Sequence, residues 1–166
     1  EVAVRFDIIG AVDKQIIKKT LILMSEAGRK GRSLTFSINL SGKDLMDDDL
    51  LLFIRSAISE TGADPDHIVF EITETAAVCD IERAARFIKA LKSLGCHFSL
   101  DDFGVGFTSF TYLRELDVDY IKIDGSFIRN LKKNANDQLF VKAIADVARG
   151  MKVKSIAEFV ESEETF

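Results

Sequence analysis

Short apolar runs, nearly all closing on a polar or charged side chain, alternate along the chain with longer stretches of helical period. The extended runs lie near Val2–Arg5, Leu34–Leu40, Ile68–Thr73, Phe98–Asp101, Val118–Ile123 and Val153–Ala157. Helical patterns fill Val12–Ala27, Asp48–Thr61, Ile81–Leu94 and Asp137–Arg149. In the third of these, Ile81, Ala84, Ala85, Ile88 and Leu91 trace one apolar helix face. Asp80 stands where an N-cap belongs, and Gly95 where a helix-closing glycine belongs. This alternation, with near-continuous apolar strands, predicts a parallel sheet covered by helices.

Two α/β architectures fit: an open doubly wound sheet and a TIM-like (β/α) barrel. The strand ends favour the barrel. Asn39, Glu71, Asp101, Lys122 and Glu158 each close or follow a strand run. In a barrel such positions converge on one face, whereas along an open edge they spread apart. A full barrel takes about 250 residues and roughly eight strands. The 166 residues carry six candidate strands, so the expectation is a single domain, 1–166, that is an incomplete barrel.

Composition narrows the chemistry. The net charge of −5 argues against sequence-blind binding to a polyanion such as DNA. An acidic chain still takes an anionic ligand when cations stand between them. No apolar run approaches the ~20 residues of a membrane span, and no signal-peptide pattern opens the chain. Cys79 and Cys96 are too few for a disulfide framework and read as reduced, partly buried thiols, which predicts a cytoplasmic setting. A membrane tether in domains outside this chain is compatible with that reading.

The densest chemical signal is Leu100-Asp101-Asp102-Phe103-Gly104-Val105-Gly106. Adjacent carboxylates at a strand end stay ionised together when cations neutralise them, and hard divalent ions prefer such oxygens. Taken alone, an Asp-Asp pair in a loop is more often an N-cap beside a solvated carboxylate. In Glu71-Ile72-Thr73-Glu74, alternation places Glu71 and Thr73 on one face, with Glu74 opening the loop. Ser37, Asn39 and Ser41 share a face in the same way. Lys122 is either a snorkelling surface lysine or an ammonium held among carboxylates. Glu158 and Glu161 are either ligand and supporting carboxylate or a solvated helix start. His67 and His97 lack metal spacing, and no nucleophile elbow, Walker loop or zinc-finger spacing occurs.

Together these segments resemble the EAL domain of bacterial cyclic di-GMP phosphodiesterases. The landmarks are Ser37-Ile38-Asn39-Leu40-Ser41, Phe70-Glu71-Ile72-Thr73-Glu74, Leu100-Asp101-Asp102-Phe103-Gly104, Val118-Asp119-Tyr120-Ile121-Lys122-Ile123-Asp124 and Ile156-Ala157-Glu158-Phe159-Val160-Glu161. They occur in the family's order and spacing. The resemblance implies a modified (β/α) barrel with one antiparallel strand, and hydrolysis of cyclic di-GMP to linear pGpG with two Mg²⁺ or Mn²⁺ ions. It implies that Asn39, Glu71 and Asp101 ligate one metal, and that Asp101 bridges to a second held by Asp102 and Glu158. Lys122 would position the attacking water and Glu161 would support the site. Glu74 would hold the Asp-Asp loop, and the Phe103–Phe110 region would contribute to a homodimer. Sensor or GGDEF-type domains upstream are further implied. The alternative within this resemblance is a catalytically silent cyclic di-GMP receptor or dimerisation module.

The start of the chain admits two placements. In the first, Glu1 is the family's signature metal ligand and Arg5 a phosphate contact, with a segment missing between Arg5 and Asp7. In the second, Ala3–Phe6 belong to a later segment and the signature strand lies upstream. The Glu-x-x-x-Arg match on a strand-like run favours the first. Among the departures from the family pattern, Phe159 stands where Gly is usual and Ser162 where Thr is common. Val105, Phe107 and Thr108 vary the loop, and the last strand with its Gln-Gly motif is expected to be absent.

Overall fold

A computed structural model describes residues 9–106 and 110–163. The strand run Val2–Arg5, Glu1, Arg5 and the Arg5–Asp7 junction lie outside the described residues, as do loop residues 107–109. The described elements are α1 (Ile9–Arg29), β1 (Phe36–Asn39), α2 (Asp48–Thr61), β2 (Ile68–Thr73), α3 (Glu74–Cys79), α4 (Ile81–Lys92), β3 (His97–Phe103), α5 (Phe110–Leu116), β4 (Tyr120–Ile123), α6 (Gly125–Ile128), α7 (Ala135–Gly150) and β5 (Lys154–Ala157). The strands form one parallel sheet in the order β1-β2-β3-β4-β5. Spatial order equal to chain order is the barrel pattern. An open doubly wound sheet reverses its order at a switch point, and these strands show no reversal.

Local chemistry sets the helix boundaries. Asp47 caps α2 by accepting hydrogen bonds from the Asp49 and Leu50 amides, at 2.9 and 3.2 Å. Asp80 caps α4 through the Arg83 amide at 3.0 Å. The predicted face of α4 buries Ala84, Ile88 and Leu91, and Phe87 joins them. Phe87 meets Phe98 edge-on, and Phe98 in turn lies 5.9 Å from Phe70. These aromatic residues and their neighbours Ile72, Leu100, Ile121 and Ile123 put one face of the sheet into the core beneath the helices. The other face carries Asn39, Glu71, Asp101 and Lys122.

The structure corrects several local expectations. Glu74 opens helix α3 rather than a loop, because Thr73 caps it through the Ala76 amide at 3.3 Å. Phe103 ends a strand and is fully buried instead of starting the loop. Ser41 does not continue the Ser37–Asn39 face. Its amide and hydroxyl both turn onto Asp44, at 2.6 and 2.7 Å. Cys79 is exposed rather than partly buried. Cys96 is buried, and burial pushes its thiol up to about 12. Among the described residues no helix is long and apolar enough to cross a membrane.

One buried carboxyl pair ties α1 to the turn after β1. Asp13 shares a side-chain hydrogen bond with Asp44. Burial first, then that bond and the charge of Asp44, raise its pKa from 3.8 to about 6. Among the described residues its Oδ2 has no hydrogen-bond partner. The folded state therefore holds this proton more tightly than the unfolded chain. The resulting stability is complete below about pH 4 and is lost as pH rises through about 6. Asp13→Asn should remove this dependence, gaining about 2 kcal/mol relative to wild type at pH 7 but not at pH 4. Urea unfolding at the two pH values checks it; equal differences at both would contradict it.

Candidate metal centre

The C-terminal ends of β2, β3, β4 and β5 supply Glu71, Asp101, Lys122 and Glu158. In register, Asn39 of β1 lies opposite Glu71, and Thr73 lies opposite Asp101. The Lys122 ammonium lies 3.0 Å from Glu71 Oε2, 2.9 Å from Asp101 Oδ1 and 2.9 Å from Glu158 Oε1. Three carboxylates on separate strand ends therefore converge on one cation-sized point. Burial works against the lysine's charge, but its hydrogen bonds to Glu158, Asp101 and Glu71 outweigh that and raise its pKa. These bonds favour the ammonium form of Lys122.

Asp102 is brought to the same place by a break in the ladder. The β3–β4 register shifts between Leu100 and Phe103, and Asp102 takes a left-handed conformation, φ 53°. Such an irregularity turns successive side chains away from strict alternation, so two adjacent carboxylates can serve one site. Asp102 donates its amide to Asp101 Oδ1 at 3.0 Å. Oxygens of Asp101, Asp102 and Glu158 all lie within 4.8 Å of one another. Partial desolvation and then the charges of Asp101 and Asp124 raise the pKa of Asp102, while Lys122 pulls it down.

The four carboxylates, Glu71, Asp101, Asp102 and Glu158, face one ammonium, so fully ionised they carry 4 − 1 = 3 uncompensated negative charges. Hard oxygen donors with excess negative charge suit divalent cations such as Mg²⁺ or Mn²⁺. Glu161 lies on the exposed stretch after β5, outside this cluster. His67 and His97 sit at the opposite ends of the strands. His67 pairs with Ser33 and His97 with Asp66, at 2.8 and 3.2 Å.

Below the cluster, Glu74 is nearly fully buried. Its Oε2 accepts the Gly104 amide at 2.8 Å, and its Oε1 accepts the Tyr112 hydroxyl. Burial first, then the bond to Glu74, raises the pKa of Tyr112, which stays protonated as the donor. Gly104 has φ 105°, and a Cβ there would lie 3.0 Å from Phe140 and 3.1 Å from Phe127. The loop after Asp102 is thus fixed from both sides. Tyr112 was invisible in the sequence as a partner, since it lies 38 positions from Glu74.

Phe159 also has a left-handed backbone, φ 54°. For a residue with a Cβ this costs about 1–2 kcal/mol. Its ring rests on Gly125, where a Cβ would lie 2.0 Å from Phe159 Cδ2. Gly125 therefore has to lack a side chain if Phe159 is to keep this place. The only hint in the sequence was that Phe159 stands where glycine is usual in the resembled family.

The model of the EAL domain matches residues 1–166. The chain belongs to the EAL domain family. Cyclic di-GMP phosphodiesterase PdeB of Shewanella oneidensis is 41% identical over 162 residues, which are 98% of this chain and 19% of that protein. Cyclic di-GMP phosphodiesterase PdeF of Escherichia coli is 34% identical over 163 residues, 98% of this chain and 22% of that protein. The chain thus spans about a fifth of the length of these relatives. Among solved structures, the PaMucR phosphodiesterase in complex with c-di-GMP superposes with a TM-score of 0.93 at 28% identity, covering 99% of this chain and 67% of that one. The FimX EAL domain from Pseudomonas aeruginosa bound to c-di-GMP gives 0.91 at 27% identity, covering 99% and 65%. The fold is accordingly that of part of the EAL domain, a TIM-like barrel, of which the described residues form five parallel strands.

Proposed function

We propose that this EAL domain hydrolyses cyclic di-GMP to linear pGpG in a reaction that depends on two Mg²⁺ or Mn²⁺ ions. The observation that carries the reading is the meeting of Glu71, Asp101 and Glu158 on Lys122, with Asp102 turned toward them at the break in β3. Support for the substrate comes from the names of the relatives and from c-di-GMP in the related structures.

In this reading Asn39, Glu71 and Asp101 would hold one ion, and Asp101, Asp102 and Glu158 would hold the other. Glu1 would join the first set and Arg5 would contact a phosphate. Bound ions would supply positive charge to the phosphoryl oxygens and lower the pKa of a bound water toward about 7. The protein's own share is positioning. Lys122 donates hydrogen bonds and adds fixed positive charge where the phosphorane develops negative charge. Glu74 anchors the loop after Asp102 through the Gly104 amide, and Glu161 would support the site from the segment after β5. Water adds its oxygen to one phosphorus, the bond from phosphorus to the 3′ oxygen breaks, and that oxygen leaves with a proton. A homodimer through the Phe103–Phe110 region and GGDEF-type or sensor domains upstream complete the proposal.

Incubating the protein with cyclic di-GMP and Mn²⁺ or Mg²⁺, against the same mixture with EDTA, tests it by chromatography of the products. The expected result is pGpG with metal and none in EDTA. Binding that persists in EDTA, with no cleavage under either condition, would replace the enzyme with a receptor.

A further inference from the structure

We propose that Ser99 is a positioning residue for Glu71: its hydroxyl holds the Glu71 carboxylate, through one bridging water, in the orientation that receives a divalent cation. The inference rests on the two-ion reading above. Ser99 stands between Phe98 and Leu100, both fully buried in the core beneath the helices. Alternation therefore sends its side chain to the other face of the sheet, the one that carries Glu71, Asp101 and Lys122. In the ladder Ser99 lies opposite Glu71 on one side and opposite Tyr120 on the other. Strand β3 is the middle one of the sheet, so these neighbours come from β2 and β4 and do not depend on an edge.

The Lys122 ammonium of β4 reaches Glu71 Oε2 of β2 at 3.0 Å. Because β3 separates those strands, this ion pair crosses in front of β3, rising from the level of Ser99 toward that of Asp101. Asp101 takes part in the crossing, accepting from Lys122 at 2.9 Å. Ser99 lies below it, 1% exposed, and its Oγ has no hydrogen-bond partner among the described residues. Room for the ion pair does not call for a hydroxyl there, since alanine leaves the same room. A buried hydroxyl without a partner disfavours the folded state, and its presence points to a polar contact that completes it. Adjacent strands lie about 4.8 Å apart, a separation that one water bridges between a short hydroxyl and a carboxylate. Lys122 holds Glu71 from one side, and a second contact from below fixes the plane of the carboxylate. Partners of this kind orient a metal-binding carboxylate and raise its affinity for the ion.

The test is Mn²⁺ binding to the wild type and to Ser99→Ala, Ser99→Thr and Ser99→Val, with the free ion followed by electron paramagnetic resonance and the fold by circular dichroism. Threonine and valine have the same shape and differ in the hydroxyl. Ser99→Ala and Ser99→Val should bind Mn²⁺ about 10-fold more weakly than the wild type, and Ser99→Thr within about 3-fold of it. Unchanged affinity in Ser99→Ala would overturn the proposal. Equal weakening in folded Ser99→Thr and Ser99→Val would overturn it too, since bulk and not the hydroxyl would then be at work. Where the two branched variants fail to fold, Ser99→Ala decides, because it removes one atom and adds none. A wild type with no saturable Mn²⁺ binding would remove the two-ion reading itself, an outcome distinct from a wild type and a Ser99→Ala that bind the ion equally.

Discussion

If the proposed hydrolysis holds, replacing Asp101 with Asn is expected to lower cyclic di-GMP turnover by about 10²–10³-fold or more, with the fold left intact. Asp101, like Glu158, belongs both to the set around Lys122 and to the set that includes Asp102. It accepts from the Lys122 ammonium at 2.9 Å and from the Asp102 amide at 3.0 Å. It also belongs to the trio whose oxygens lie within 4.8 Å of one another. Asparagine keeps the shape and one acceptor oxygen but removes the charge. Lys122 retains Glu71 and Glu158 as partners, so stability changes little. Turnover under Mn²⁺, alongside circular dichroism of the same preparation, checks this. A variant with wild-type turnover would show that the carboxylate cluster is not where the chemistry occurs.

The second large effect concerns stability as well as turnover. Glu74→Ala removes the acceptor of the Gly104 amide and of the Tyr112 hydroxyl at a site 2% exposed. Two donors lose their partner, and a cavity opens under the loop. Each unsatisfied buried donor costs about 1–3 kcal/mol, so a loss of about 3 kcal/mol is expected. For a domain of this size that lowers the melting temperature by about 10 °C. Below that temperature turnover should still fall, because the loop after Asp102 is no longer anchored. Glu74→Gln should lie between the two, since the amide keeps one acceptor. Thermal unfolding and kinetics of both variants check the order; a Glu74→Ala protein as stable and active as wild type would remove the anchoring role.

Much of the centre was legible because a parallel sheet places the C-terminal ends of its strands on one face. Glu71, Asp101, Lys122 and Glu158 needed only the strand rhythm to be assigned together. The presence of α4 followed equally directly from its apolar repeat and from Asp80. The details that were not legible depend on contacts between distant segments. The shift between Leu100 and Phe103 arises from pairing with β4, and no local pattern announces that Asp102 turns left-handed there. The bond from Tyr112 to Glu74 forms only once α5 packs under the loop. Helix α6 is a single turn, too short to show a period, yet it supplies the Gly125 surface on which Phe159 rests. Cys79 misled in the other direction, because a thiol is usually buried while this one ends α3 at the surface.

The central claim is that side chains from four strand ends form one divalent-cation centre. Titrating Mn²⁺ into the wild-type protein and into Asp101→Asn, with free Mn²⁺ followed by electron paramagnetic resonance, tests it without relying on turnover. The account predicts saturable binding to the wild type and at least about 10-fold weaker binding to the variant. Equal Mn²⁺ affinity in the two proteins would contradict it.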